Sequence, residues 1–258
     1  MNIKNAAYII TLLFLSSCGS YKHIPYFQDL KPSEASQEEV SNFSAITIQK
    51  ADILGINVNS RNPESSAIFN YNLNRANGPS MDQPSDSPVV GYLVDEKGEI
   101  NLPLIGNMKV AGMSTSELRE KLSQTLLTYY KDPVVNIRLL NFKVSVFGDV
   151  ARPDVYRLQN ERTTITQALS LAGDLNITAM RTNILLVREQ DGKRSFIPID
   201  LTSKKLFDSP YYYLKNNDEI YVQPDRTKYA TVDRGYRVTT LILSGLSIIA
   251  IVLSNLYR

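Results

Sequence analysis

The sequence predicts an α+β protein: two small units, each a few short strands around one helix, followed by an apolar helix at the C-terminal end. Three observations carry this. Apolar and polar residues alternate along several short runs, the period of half-buried strands. Two capping signatures open helices between those runs. Finally, Val238 to Tyr257 holds twenty residues with no charge, bracketed by Arg237 and Arg258.

The elements follow in order. Leu54-Gly55-Ile56-Asn57-Val58-Asn59 alternates and reads as a strand. Residues 61–88 are polar, with Pro63, Asn77-Gly78, Pro79, Pro84 and Pro88, and read as one long loop. Gly91-Tyr92-Leu93-Val94 and Glu99-Ile100-Asn101-Leu102 flank Asp95-Glu96-Lys97-Gly98, so they are expected to pair as a hairpin. Ser114-Thr115-Ser116-Glu117 is a capping box, opening a helix whose Leu118, Leu122, Leu126 and Tyr129 share one face. Strands are expected over 134–140 and 143–147. Thr164-Ile165-Thr166-Gln167 opens a second helix that stops at Gly173, a suitable residue just beyond a helix end. Two strands, 184–188 and 194–199, flank Asp191-Gly192, and a last strand from Glu219 ends at Pro224. Tyr211-Tyr212-Tyr213 reads as a strand, its rings either shared between core and surface or stacked on sugars.

Composition limits the chemistry. The chain has 258 residues, 43% apolar and 21% charged, the proportions of a folded protein. Twenty-eight basic residues against 26 acidic ones leave a charge of +2 without a basic block, so no nucleic-acid footprint exists. One cysteine and one histidine exclude disulfides, Cys/His metal sites and Cys/His or Ser/His nucleophile pairs. His23 falls in a polar leader with nothing to orient it. No G-x-G-x-x-G, P-loop, H-E-x-x-H or G-x-S-x-G string occurs. The expectation is a protein that is not an enzyme and holds no cofactor or metal.

Both ends point to membrane. Lys4 and the apolar run from Ala6 to Leu15 form a secretory signal over 1–17, too short to span a bilayer. Leu15-Ser16-Ser17-Cys18 matches the lipobox, which makes Cys18 the lipid-attachment residue and the mature N-terminus. Several acyl chains on one residue give stable anchoring where one chain does not. Gly19 follows in place of the Asp that retains enteric lipoproteins at the inner membrane, which directs the chain to the outer membrane. Residues 18–41 are rich in Ser, Glu, Gln and Pro and read as a tether lifting the body off the lipid. The segment 238–257 would be about 30 Å long as a helix, one hydrocarbon thickness, and is expected to be transmembrane. Thr240, Ser244, Ser247 and Ser254 fall on one stripe of it. Two readings stand for that stripe: close helix packing through small residues, or the lining of a pore in a ring of such helices.

In their order along the chain, these pieces resemble the polysaccharide export proteins of the Wza type. Residues 42–141 resemble the polysaccharide export domain, through Ile48-Gln49-Lys50-Ala51-Asp52-Ile53-Leu54-Gly55-Ile56-Asn57-Val58, the turn at Gly98, Leu102-Pro103-Leu104-Ile105-Gly106 and Tyr130-Lys131-Asp132-Pro133-Val134-Val135. Residues 142–224 resemble the soluble-ligand-binding β-grasp (SLBB) domain, through Val146-Phe147-Gly148-Asp149-Val150, Pro153, Val155-Tyr156, Thr164 to Gly173, and Leu214-Lys215-Asn216-Asn217-Asp218-Glu219-Ile220-Tyr221-Val222. Residues 225–237 would then link this body to the terminal helix. Gly173-Asp174 stands where Gly-Gly is common and Asn216-Asn217 where Pro-Gly is common, and both suit turns. A single β-grasp unit implies a short periplasmic column.

The resemblance implies a homo-oligomeric ring in the outer membrane that passes capsular polysaccharide or exopolysaccharide outward without covalent chemistry. Its implied partners are the polysaccharide chain, outer-membrane lipid and an inner-membrane co-polymerase or chain-length determinant. The rival class is a non-transporting, lipid-anchored glycan-binding or scaffold protein of the periplasm.

Overall fold

The computed structural model describes residues 24–31, 35, 37–40, 42–74, 91–190, 192–230 and 234–256. The signal segment 1–17, Cys18 and His23 lie outside the described residues.

The first unit is built on β1 (Ile53–Asn59), the middle strand of a three-stranded antiparallel sheet. Its neighbours are β2 (Tyr92–Leu93) and, in register from Leu54↔Leu139 to Asn59↔Val134, β5 (Val134–Leu139). The alternation read from the sequence puts Leu54, Ile56 and Val58 fully inside. The capped helix Thr115–Leu126 packs on β5 and buries Leu118, Leu122 and Leu126 in the same core. Tyr129, expected on that face, lies beyond the helix and is half exposed.

Two expectations for this unit need correction. The stretch 61–88 is not one loop, because Pro63–Asn74 is a helix, here α1. Proline suits a first helical turn, and Glu64 sits at the positive end of the helix dipole. Its apolar residues are bunched as Ala67, Ile68 and Phe69, followed by Tyr71 and Leu73, and do not recur along one face over several turns, so no clear amphipathic signal marks it. Tertiary contacts hold it instead. Phe69 is fully buried, and the Asn70 side chain accepts from Val58 N at 2.9 Å and donates to Val58 O at 2.8 Å, as a neighbouring strand would. Residues 75–90 lie outside the described residues.

The second correction concerns the hairpin. The turn at Asp95–Gly98 forms, with Gly98 N donating to Asp95 O at 2.9 Å, but its two arms enter different sheets. β2 pairs with β1, whereas β3 (Glu99–Leu102) pairs with β4 (Gly106–Lys109), a strand the sequence pattern did not mark. The tight loop between β3 and β4 places Leu104 at φ +63° and Gly106 at φ +81°. The capped helix Thr115–Leu126 follows as α2.

The second unit is a five-stranded sheet in the order β7-β6-β10-β8-β9. Its strands are β6 (Lys143–Gly148), β7 (Asp154–Arg157), β8 (Ala179–Gln190), β9 (Lys193–Ile199) and β10 (Glu219–Pro224). β6 and β10 run parallel at the centre, and every other pairing is antiparallel. Helix α3 (Ile165–Leu171) covers one face, burying Ile165, Ala168 and Leu169 among Val144, Val146, Leu186 and Ile220. Its cap is the expected box: Gln167 N donates to Thr164 Oγ1 at 3.2 Å, and Thr164 N donates to Gln167 Oε1 at 3.0 Å. Gly173 and Asp174 then take φ of +77° and +71°, which ends the helix. Gly148 has φ +101°, and a Cβ there would lie 2.1 Å from Val222 O, so glycine lets β6 and β10 approach at that end.

Tyr211–Tyr213 is not a strand. It follows a 3-10 turn over Lys204–Asp208 and touches the sheet system only through the isolated bridge Thr164↔Tyr213. The core residues of both units form one contiguous cluster, so the units fold against each other.

Beyond a short helix α4 (Arg226–Ala230) in the linker comes α5 (Arg234–Leu256), the expected terminal helix. The membrane span is corrected: among the described residues no helix is long and apolar enough to cross a membrane. Thr239, Thr240, Ser244, Gly245 and Ser247 interrupt the apolar run. The unbroken apolar stretch after them, Ile248–Leu253, is far below the about 20 residues a span requires.

Candidate functional site

Thr240, Ser244 and Ser247 do lie on α5 and are exposed, whereas the side chain of Ser254 lies outside the described residues. Ser244 Oγ donates to Leu241 O at 2.9 Å and Ser247 Oγ to Ser244 O at 2.7 Å, so both hydroxyls bond within the helix. That leaves a smooth, small-residue strip suited to close packing.

Within the segment 18–41 expected to be a tether, the described residues Phe27, Gln28 and Asp29 are strapped onto the second unit. Phe27 N and Gln28 N donate to Leu201 O at 3.1 Å and Thr202 O at 2.6 Å. Asp29 accepts from Ser203 Oγ at 2.7 Å and Lys204 N at 2.6 Å, and these bonds, Ser203 first, hold its carboxyl below the usual range. Just beyond that segment, Asn42 Nδ2 donates to Phe207 O and Ser209 O at 2.5 and 2.8 Å. Aromatic rings join strap to body. Phe27 meets Phe207 at 4.7 Å, Phe207 meets Tyr212 at 5.4 Å, and Tyr213 meets Phe43 at 5.2 Å edge-on, with Arg162 stacked 4.6 Å above Phe43. Tyr212 and Tyr213 are thus half-buried and pack against rings of the chain itself.

Tyr26 belongs to the same strap. It donates to Asp174 and lies 5.6 Å from the buried Arg181 guanidinium; burial first, then the Asp174 carboxylate, push its hydroxyl pKa up. A cavity of about 340 Å³ remains between Tyr26, Phe27 and the α3 residues Thr166, Leu169 and Ser170.

The linker is pinned as well. Asp149 is fully buried and accepts from Asn176 Nδ2 at 2.9 Å, Thr178 Oγ1 at 2.6 Å and Lys228 Nζ of α4 at 2.5 Å. Burial alone would raise its pKa, but the Lys228, Thr178 and Asn176 bonds outweigh it and hold the carboxyl low. The strap and the linker therefore both leave from the second unit.

A cleft opens where the two units meet. One part, about 500 Å³, is lined by Gln49 of the first unit and by Glu189, Arg194, Phe196, Asn217 and Glu219 of the second. A second part, about 550 Å³, shares Gln49 and Glu189 and adds Lys50 and Gln190. One buried carboxylate ties the walls together. Asp52 accepts from Gln49 N on Oδ2 at 2.8 Å and from Asn216 Nδ2 on Oδ1 at 2.7 Å. Asn216 Oδ1 in turn accepts from Lys143 N at 3.0 Å. Only 2% of Asp52 is exposed, and burial raises its pKa. Behind the second wall, Arg188 Nε and a terminal guanidinium nitrogen donate to the two Asp218 oxygens at 2.9 and 2.6 Å, a buried two-point pair. Asn217, at φ +64°, bends the chain between Asn216 and Asp218.

Asp52, Gln49 and Asn216 were not singled out as site residues from the sequence. The signal that could have found them was Asn216-Asn217 standing in place of Pro-Gly, since proline has no side-chain donor for such a latch. Among the described residues no group of three or more His, Cys, Asp or Glu is placed to hold a metal ion.

An export-type α+β unit latched to a β-grasp unit defines the class. The family model of polysaccharide biosynthesis/export proteins matches residues 40–140, and the SLBB domain model matches residues 143–198. The chain belongs to the polysaccharide biosynthesis/export protein family. It is similar to the EPS I polysaccharide export outer membrane protein EpsA of Ralstonia solanacearum, 28% identical over 139 residues, which is 53% of this chain and 37% of that protein. The protein of the same name from Ralstonia nicotianae is 36% identical over 93 residues, 35% of this chain and 24% of the relative. The chain thus spans well under half the length of the relatives it matches.

Proposed function

We propose that this protein is the outer-membrane component of a capsular polysaccharide or exopolysaccharide export system, a lipoprotein anchored through Cys18 with its body in the periplasm. It assembles into a homo-oligomeric ring, hands the glycan from periplasm to cell exterior without covalent chemistry, and meets an inner-membrane co-polymerase across the periplasm. The observation that carries this reading is the succession of the export and SLBB matches along one chain, on two units that share a core and a buried latch.

The strap supports the placement. From Cys18 to the first described residue, Ile24, six residues reach at most about 20 Å, so a lipid on Cys18 holds the second unit close to the membrane. The stripe Thr240, Ser244 and Ser247 on α5 serves helix packing between copies; the pore-lining alternative falls with the membrane span. The mass of the detergent-extracted full chain tests the ring, and closed rings in micrographs are the expected result. A monodisperse monomer would instead support the rival reading, a lipid-anchored glycan-binding or scaffold protein.

A further inference from the structure

We propose that the cleft between the two units is a binding groove for the sugar chain itself, selective for neutral sugars; this rests on the export reading and adds to it the place of contact. Each half of the cleft, about 500 and about 550 Å³, falls in the range of about 300–1,000 Å³ typical of small-ligand sites. The halves share Gln49 and Glu189, so they adjoin as a groove longer than a single pocket.

Its chemistry suits a glycan. Sugar hydroxyls both donate and accept, and so do the amides Gln49, Gln190 and Asn217 that line it. Sugar rings also present C–H faces that rest on aromatic rings, and Phe196, 64% exposed on the edge strand β9, offers one at the rim. Charges balance, Glu189 and Glu219 against Arg194 and Lys50, with Glu189 and Arg194 paired at 2.9 Å. A surface for a polyanion would be basic instead. A groove for a lipid or an apolar helix would be lined by aliphatic side chains, and here Val187 and Ile48 are the branched aliphatics among the lining residues.

The walls are pre-set before a ligand arrives. Asp52 fixes the backbone of Gln49 on one side and Asn216, next to Asn217, on the other. The buried Arg188–Asp218 pair sits between lining residues, Val187 and Glu189 flanking Arg188, and Asn217 and Glu219 flanking Asp218. Lys215 Nζ donates to Gln190 Oε1 at 2.8 Å and orients that amide. A site held by buried bonds loses little freedom on binding.

The test is affinity electrophoresis of the detergent-extracted full chain through gels containing polysaccharide purified from the surface of the producing cells, with dextran as a neutral and polygalacturonate as a polyanionic comparison. Phe196→Ala and Gln49→Ala, on opposite walls, are the variants, and Leu104→Ala, exposed on the β3–β4 loop, is the control. The native chain and the control should be retarded by the surface polysaccharide. Each cleft variant should bind about tenfold more weakly, the effect of one ordinary contact, with its melting midpoint unchanged. Equal retardation of native and cleft variants overturns the groove, as does no retardation of the native chain, or retardation only by polygalacturonate and only at low salt. A change of oligomer mass in Phe196→Ala without a change in retardation also overturns it and makes β9 a subunit contact. Surface polysaccharide of a strain lacking the protein separates the two readings: if it is lost while the cleft variants bind normally, the groove alone fails.

Discussion

Replacing Asp52 by asparagine removes one acceptor from the latch and keeps its shape. Each carboxylate oxygen now takes one donor, Gln49 N at 2.8 Å and Asn216 Nδ2 at 2.7 Å. Asparagine has one acceptor oxygen, so one buried donor faces an NH₂ group, at a cost of about 1–3 kcal/mol. For a body of this size each kcal/mol lowers the melting midpoint by about 2–4 °C, so Asp52→Asn should melt about 2–12 °C lower at pH 7. The pH dependence gives the sign. Burial raises the pKa of Asp52 in the folded state, so its protonated form is favoured there. Its contribution to stability is greatest below the ordinary carboxylate value of about 3.9 and is lost as the pH rises through the raised folded value. The gap between native and variant midpoints should therefore widen as the pH is lowered from about 7 to about 4. Calorimetry of the full chain in mild detergent reads both quantities. Midpoints within about 1 °C of each other at pH 7, or a gap that narrows on acidification, would refute the latch.

Other consequences are as direct. Thr164→Ala removes the acceptor for Gln167 N and should lower stability by about 1 kcal/mol, read as a shifted denaturation midpoint; an unchanged midpoint rejects the cap as a stabilising contact. Cys18→Ser should abolish incorporation of labelled fatty acid and leave an unprocessed or mislocalised precursor, and undiminished label would place the lipid elsewhere. Ser244→Leu with Ser247→Leu should lower the oligomer mass while Leu246→Val does not, because leucine fills the close-packing strip; a native mass in the double variant removes α5 from the interface.

Much of the fold was legible because its signals are local. The boxes at Ser114 and Thr164, the turn residues at Gly98 and Gly173, and the alternation along β1, β5, β6, β8, β9 and β10 all act over a few residues. The features that escaped depend on partners far along the chain. Helix α1 is held by Phe69 in the core and Asn70 on Val58, neither of which leaves a periodic trace. Strands β2 and β3 flank a sound turn yet join different sheets, since pairing is decided by β1 and β4. The segment 18–41 looks like a tether because Ser, Glu and Pro dominate it, while Tyr26 and Phe27 within it, and Phe43 just beyond it, do the docking without a period to mark them. The terminal segment was helical as its composition implied, but its hydroxyls and glycine weigh against a span more heavily than the absence of charge suggested. Of the site, the sequence displayed Gln49 and Asn216-Asn217 within family-like strings, and their meeting across Asp52 is a product of the tertiary fold.

The central claim is that this protein carries polysaccharide to the cell surface, and the most direct measurement is the amount of surface polysaccharide on cells from which its gene is removed. Removal should abolish surface polysaccharide while glycan accumulates in the periplasm. Full-length protein supplied in trans should restore it, and the Cys18→Ser form should not. Wild-type amounts of surface polysaccharide on the deletion strain would contradict the account.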